Sequence, residues 1–514
     1  MSNILCRNPR TGEILKEIPK TPIGNLNQVF ERANRAQQLW SKTPLKQRIR
    51  KLMHLREVLC HRLDEMARVI HQENGKPETE ALACELVPSL EMITFYAKIA
   101  PKKLKTREIF FRNPFMNYRK SVVTHQPLGV VAVISPWNYP FFLAFGDIVA
   151  ALLSGNAVVF KPSEHTSLIA MKMHDLFEEA GFPVDVLQTV YGEGDLGSAL
   201  IEQKPAKISF TGSVATGKSI MKQAANHLIP VCLELGGKDA MIVLPDADLD
   251  YATSAALWGG FTNSGQVCAS TERLLVHESI AEAFLSSLKS KMALLKVDSD
   301  LGVCTMEKQK SIYEAHLQDA RSRNLEFVCG GTLSDDRTRM IPTLVAGAGV
   351  EDSRIYNEET FGPVIAVTTF KSVREAIEKA NRSPYGLLAS VITKNISLGE
   401  EIASELQVGT VMINEVIYTA GTPETPWGGM KDSGFGRKHS ENGLFEFTHL
   451  KHVNRPRIAR LTFKSWWWYP YSNYQKQFFR AWGDMYGGSL LDKMFKLPHM
   501  LWTMLQFLKN EPRI

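Results

Sequence analysis

Cys268 stands in the run Gly259-Gly260-Phe261-Thr262-Asn263-Ser264-Gly265-Gln266-Val267-Cys268-Ala269-Ser270-Thr271. An apolar stretch at 252–258 precedes the run, and the strand-like Leu274-Leu275-Val276 follows it. A thiol among such small residues can sit at a loop tip beside free backbone N–H groups. That placement supplies the exposure, the dipoles and the lowered pKa that a nucleophile needs. A lone cysteine is more often a small buried hydrophobe, so the case for chemistry rests on its company. Lys161-Pro162-Ser163-Glu164 closes a second apolar run, where a ribose can dock. The Glu164 carboxylate accepts hydrogen bonds from vicinal hydroxyls and repels a 2′-phosphate, which favours NAD over NADP. Gly212-Ser213-Val214-Ala215-Thr216-Gly217-Lys218-Ser219 fits the G-x-x-x-x-G-K-[ST] phosphate loop and lies between a strand and a helix. Residues 241–244 with Asp246 offer a loose magnesium strand to match, although Pro245 interrupts it.

The elements that must hold these groups follow from periodicity. Val130-Val131-Ala132-Val133-Ile134-Ser135 is a continuous apolar run, as expected of a parallel strand buried on both faces. Helix at 143–153, strand at 157–160, helix at 166–180, strand at 186–190, helix at 196–202 and strand at 207–210 continue the pattern. Such alternation implies right-handed βαβ units and a doubly wound sheet, which binds ligands at the carboxyl ends of its strands. Residues 240–244 open a second α/β unit that carries Cys268 and runs to about 434. Residues 21–60 and 82–97 read as amphipathic helices, and 118–126 alternates like a ribbon strand.

The bulk properties exclude several classes. A chain of 514 residues needs two or three domains, and 44% hydrophobic with 22% charged residues is an ordinary globular composition. A net charge of +6, with no basic stripe interleaved with aromatics in the body, gives no case for nucleic acid. The seven cysteines are scattered, which suggests a reducing compartment and argues against a structural zinc; no metal site is expected. The amino terminus has no long apolar core, so no secretory signal and a cytoplasmic setting are expected. Residues 129–153 are apolar enough to raise a transmembrane suspicion, but Pro136, Asn138, Pro140 and Asp147 break the stretch.

Further motifs stand around the cysteine: Ser135-Pro136-Trp137-Asn138-Tyr139-Pro140, Phe210-Thr211-Gly212-Ser213, Glu234-Leu235-Gly236-Gly237-Lys238, Glu358-Glu359-Thr360-Phe361-Gly362-Pro363 and Pro426-Trp427-Gly428-Gly429-Met430-Lys431. In this order and spacing the set resembles the NAD(P)-dependent aldehyde dehydrogenase superfamily, from about residue 8 to 452. The resemblance implies an α/β fold of that type, with a Rossmann-type NAD domain at 1–117 and 130–238 and an α/β catalytic domain at 239–434. It also implies a β-ribbon oligomerisation element at 118–129 and 435–460, and a homodimer or homotetramer. It assigns the nucleophile to Cys268, the general base to Glu234 and an oxyanion-holding amide to Asn138. The cofactor would meet Ser135, Pro136, Trp137, Lys161, Ser163, Glu164, Gly212, Ser213, Gly217, Leu235, Gly236, Glu359 and Phe361. Gly212–Ser213 and Gly217 would then serve a dinucleotide, not an NTP. Glu234 marks the hydrolytic members, since acylating ones lack this base. Many members have Glu where His449 stands, so their proton relay does not simply carry over.

Members acting on succinic semialdehyde carry arginines at positions that count here to Gly146 and Thr262. Their absence, with Phe141, Phe142, Leu143 and Phe145 nearby, implies an uncharged medium- or long-chain or aromatic aldehyde. A semialdehyde dehydrogenase and a non-catalytic protein retaining the fold are the rivals.

The tail at 461–514 lies outside the resemblance. Lys464-Ser465-Trp466-Trp467-Trp468-Tyr469-Pro470-Tyr471 leads into apolar residues at near-helical spacing, punctuated by Lys and Arg. Such segments lie in membrane interfaces, or pack on their own catalytic domain or a partner subunit.

Overall fold

The computed structural model describes residues 3–113, 116–296, 299–458 and 465–510; Lys464 and the ends of the tail lie outside them. The chain divides into two compact units, Met1–Lys105 with His125–Leu450 and Thr106–Thr124 with Lys451–Ile514.

The first unit holds two large sheets. One orders its strands Gly434–Phe435, Val231–Glu234, Lys207–Thr211, Val130–Ile134, Ala157–Lys161 and Leu187–Thr189. All pairs are parallel except Gly434–Phe435 against Val231–Glu234. Every residue of Val130–Ile134 and Ala157–Lys161 is buried, so the unbroken apolar runs read correctly as strands covered on both faces. The chain leaves Val130–Ile134 in one direction through Ala157–Lys161 and returns on its other side at Lys207–Thr211. That reversal opens a crevice at Ser135, Lys161 and Thr211.

The second sheet has seven strands, with Asp239–Val243 and Thr271–His277 adjacent and parallel near its centre. The apolar stretch at 129–153 is a strand, a turn and the helix Phe142–Leu153, and among the described residues no helix is long and apolar enough to cross a membrane. The helix expected over 21–60 is two, Leu26–Trp40 and Leu45–His61. Pro44 caps the second and has no N–H with which to continue the first.

The second unit carries a three-stranded sheet ordered Thr448–Pro456, Arg119–Pro127, Arg107–Ile109. It also carries two helices, Asn473–Asp484 and Leu490–Asn510. The first begins in a capping box between Ser472 and Gln475. Phe478 and Ala481 pack on Met500 and Phe507, closing the helices into a hairpin with its own small core. Leu490, Leu491, Met494, Phe495, Leu501, Trp502 and Leu505 face outward, Phe495 with 82% of its surface exposed.

Candidate active site

Helix Leu249–Phe261 delivers the chain to the thiol. Asp248 caps its start by accepting from Tyr251 N at 3.0 Å. It ends in a tight turn where Asn263 and Ser264 both take left-handed backbone angles, φ 47° and 55°. Gly265 follows at φ +70°, and a Cβ there would collide with the Gly362 carbonyl. Consecutive left-handed non-glycine residues cost energy and persist only where neighbours enforce them. The enforcer is Glu80, whose carboxylate accepts from Thr262 Oγ1 and from Asn263 N, each at 3.0 Å.

Between Gly259 and Val276 every residue is buried except Cys268. Cys268 is therefore the one residue of this run that keeps accessible surface, but it does not stand on a loop tip. Dense protein around it, with Glu234, Asp239 and Glu359 nearby, pushes the thiol well above its ordinary pKa, against a small opposite effect of the Ala269 N–H. The expected lowered pKa is thus reversed: desolvation outweighs the backbone dipoles.

Asn138 is buried on the turn after strand Val130–Ile134, and its side-chain Nδ2 donates to Gln266 O at 3.1 Å. Its own carbonyl accepts from Lys76 Nζ at 2.8 Å and Asn263 Nδ2 at 3.0 Å. Lys76 is fully buried, pairs with Glu85 at 2.7 Å and lies 3.8 Å over the Tyr139 ring. Glu85 in turn accepts from Phe141 N and Phe142 N at the start of helix Phe142–Leu153. Sequence reading missed Glu80, Lys76 and Glu85. Their only local trace is the break Gly75-Lys76-Pro77 ahead of a π-helical turn, Leu82–Leu86.

Every sequence-derived site residue except Glu234 and Gly217 lines one cavity of about 440 Å³. Trp137 and Phe361 meet edge-to-face at 5.4 Å. Phe361 is held at φ 51° by Glu272, which accepts its N–H and that of Thr360 at 2.9 Å. Glu359 accepts from Gly237 N at 2.9 Å, and burial raises its pKa to about 8. A Cβ on Gly236 would overlap that carboxylate. Burial lowers the pKa of Lys161, whose Nζ donates to Pro162 O. Gly217 instead packs helix Val214–Ala225 on Leu235, where a Cβ would not fit. The phosphate-loop reading fails on Lys218, which points to solvent and pairs with Asp432 at 2.9 Å. Asp246, the supposed magnesium ligand, accepts from Thr393, Lys394 and Asn395.

Glu234 ends its strand in a second, much smaller cavity of about 20 Å³, shared with Lys438, Asp147, Phe142, Leu143 and Gly146. Its Oε1 has no hydrogen-bond partner among the described residues. Burial raises its pKa to about 7, opposed by Lys438 and Arg437 and by a hydrogen bond from Trp427, while Asp147 adds to the rise. Gly428 leaves it room, since a Cβ there would come within 3.0 Å of Oε1. His449 is exposed and lines an outer cleft that shares Arg437 and Glu446 with this cavity, but His449 itself does not line the cavity. Of the phenylalanines expected around the substrate, Phe141 and Phe145 are fully buried and stack on each other at 5.0 Å as core. Thr262 faces the buried carboxylate of Glu80.

Residues 2–453 match the model of the aldehyde dehydrogenase family. The chain is 39% identical over 481 residues to a 4,4′-diapolycopene aldehyde oxidase of a Methylomonas species, covering 92% of this chain and 89% of the relative. It is 35% identical to a putative succinate-semialdehyde dehydrogenase [NADP(+)] of Mycolicibacterium smegmatis, over 88% of each. The crystal structure of betaine aldehyde dehydrogenase from Staphylococcus aureus in complex with NAD+ superposes with a TM-score of 0.85 at 30% identity, covering 91% of this chain and 93% of that one.

Proposed function

This chain belongs to the aldehyde dehydrogenase family, and from that premise we propose that it oxidises an uncharged, hydrophobic aldehyde to its acid with NAD. The observation that carries the reading is the accessible surface of Cys268 at the end of a cavity that Asn138 also lines. The thiolate of Cys268 attacks the aldehyde carbon, and the oxyanion of the thiohemiacetal takes the Asn138 amide as donor. NAD, when bound, supplies the hydride acceptor. The resulting thioester is hydrolysed by a water whose proton passes to Glu234, and the acid leaves.

The residues fit a dinucleotide. Ser135 Oγ is buried on the cavity wall without a hydrogen-bond partner among the described residues, Gly236 gives backbone access beside Glu359, and Gly212 and Ser213 form the start of helix Val214–Ala225. Glu164 on the same wall supports NAD over NADP by repelling a 2′-phosphate. The NAD complex of the betaine aldehyde dehydrogenase agrees with this, and the NADP named for the mycobacterial relative does not.

For the substrate, Glu80 beside Thr262 opposes a carboxylate on the aldehyde, which counts against a semialdehyde. The long apolar aldehyde in the Methylomonas relative's name points the same way. The homo-oligomer and the site assignments above are part of this reading. So is attachment of the tail to a membrane surface, carried by the outward apolar stripe of Leu490–Asn510.

The test is NADH formation across aldehydes from short and polar to long and apolar, each with NAD and with NADP. Long-chain aldehyde with NAD should give the highest kcat/KM. Cys268→Ser should abolish turnover, and Glu234→Gln should give one burst of NADH and stall. Equal use of NADP, or full turnover by either variant, would overturn the corresponding assignment.

A further inference from the structure

The base proposed above does not stand alone in its small cavity. Lys438 Nζ pairs with Asp147 Oδ2 at 2.7 Å, and each side chain is 8% exposed. Lys438 also donates to Thr211 Oγ1 at 2.8 Å, and Ser209 Oγ donates to Asp147 Oδ2 at 2.7 Å. Ser209 and Thr211 belong to the strand that pairs with the one ending in Glu234, with Thr211 opposite Glu234 itself. Asp147 comes from helix Phe142–Leu153 and Lys438 from the far end of the unit. Three separate parts of the chain thus converge on one buried pair beside a carboxylate whose Oε1 has no hydrogen-bond partner among the described residues.

A buried ion pair is seldom favourable for stability alone, because desolvating both charges offsets their attraction. Its other effect is electrostatic, and here it acts on Glu234 in both directions: Lys438 favours the carboxylate and Asp147 opposes it. The other groups facing Glu234 are committed elsewhere. Arg437 donates to the Gly429 and Gly436 carbonyls, Glu446 pairs with Lys207, and burial lowers the pKa of His439 to about 3, which keeps it neutral. Burial holds Tyr96 and Cys232 in their protonated forms, and Cys268, across from Glu234, is likewise protonated at rest. The cavity that Glu234 shares with the pair, of about 20 Å³, has room for one water.

We propose that Lys438 and Asp147 are positioning residues for Glu234, their ion pair forming part of the wall of the small cavity that its carboxylate enters and setting the charge it meets there. The inference rests on Glu234 acting as the base for hydrolysis of the thioester.

The test separates the two steps by stopped-flow. The NADH burst reports acylation, and the steady state, followed against pH, reports hydrolysis. Asp147→Asn removes the charge that opposes the carboxylate and leaves Lys438 and Arg437 favouring it, so the acid limb of the steady-state profile should move down by about one pH unit. Lys438→Met removes a charge that favours the carboxylate while Asp147 still opposes it, so the limb should move up by about as much. Lys438→Arg should restore the wild-type limb, and the apolar double variant Asp147→Leu/Lys438→Met should fall between the single ones. Burst amplitudes should stay near wild type throughout. If Lys438→Met fails to fold, Asp147→Asn and the double variant carry the comparison. Limbs that move together, or not at all, with the burst intact, overturn the pairing. A wild type with no burst overturns the dehydrogenase reading instead.

Discussion

A nucleophilic thiol needs an approach path and a proton acceptor, and at Cys268 the fold provides the path while raising the cost of ionisation. Burial dominates, and three carboxylates in range add to it. A raised thiol pKa means that the thiolate fraction is small at neutral pH and grows as pH rises towards that value. Alkylation of Cys268 by iodoacetamide, followed by mass spectrometry, should therefore keep accelerating beyond pH 9, the ordinary thiol value. A rate that levels off below about pH 8 would mean that an activating partner has been overlooked. The tight packing of the run around Cys268 was legible in its small residues, because these are what a close backbone approach requires. The ionisation of the thiol was not, because it depends on Glu234, Asp239 and Glu359, which only the folded chain brings near. The same holds for Asp147 and Lys438, 291 positions apart in sequence and 2.7 Å apart in space.

Among the elements, the turn from strand Val130–Ile134 to helix Phe142–Leu153 is fixed by groups outside both. Lys76 holds the Asn138 carbonyl and Glu85 holds the helix N-terminus, so two charges from the helical region at 63–103 determine where the Asn138 amide points. Lys76→Met should lower the unfolding free energy by about 3–5 kcal/mol, the usual cost of leaving one buried charge uncompensated. A urea titration measures it, and a loss below about 1 kcal/mol would mean that Glu85 is satisfied by its two N–H donors alone. The strands of this unit were readable because apolar runs buried on both faces have no competing interpretation once Gly and Pro bound them. The clamp was not readable, since a Lys in a break between helices and a Glu nine positions on look like solvated surface groups. Phe141 and Phe145 misled for a related reason: an aromatic near a motif looks functional, while their four-residue spacing puts both on the core side of one helix turn.

At the scale of the whole molecule, the tail differs from the rest in how it meets water. Its hairpin spends Phe478, Met500 and Phe507 on its own core and still presents a second apolar stripe, with Lys493 and Lys496 along the same helix. Lys and Arg attract anionic headgroups while the apolar residues enter the interface, and the electrostatic part is screened by salt. The full chain should therefore co-sediment with anionic vesicles at low ionic strength and be released as salt rises. A chain ending at Arg460 should stay in solution and lose activity on vesicle-borne long-chain aldehyde more than on a soluble short one. A full chain that ignores vesicles, with a shortened chain that loses its oligomeric state, would make the tail a packing element. The amphipathic spacing of the tail was plain in sequence. The hairpin was not, because the same apolar spacing serves a helix that pairs with its neighbour and one that faces a bilayer.

The antiparallel edge strand Gly434–Phe435 has a bearing on synthesis. It pairs with Val231–Glu234, some two hundred positions earlier. A ribosome that has released the five strands of this sheet between Val130 and Glu234 has therefore not yet released its sixth. Until residue 435 emerges, the strand ending in Glu234 keeps one row of backbone groups unpaired, an open edge of the kind that invites pairing with other chains. The strand that closes this edge also fixes the backbone of the proposed base, so the surroundings of Glu234 are completed only after residue 435 has emerged.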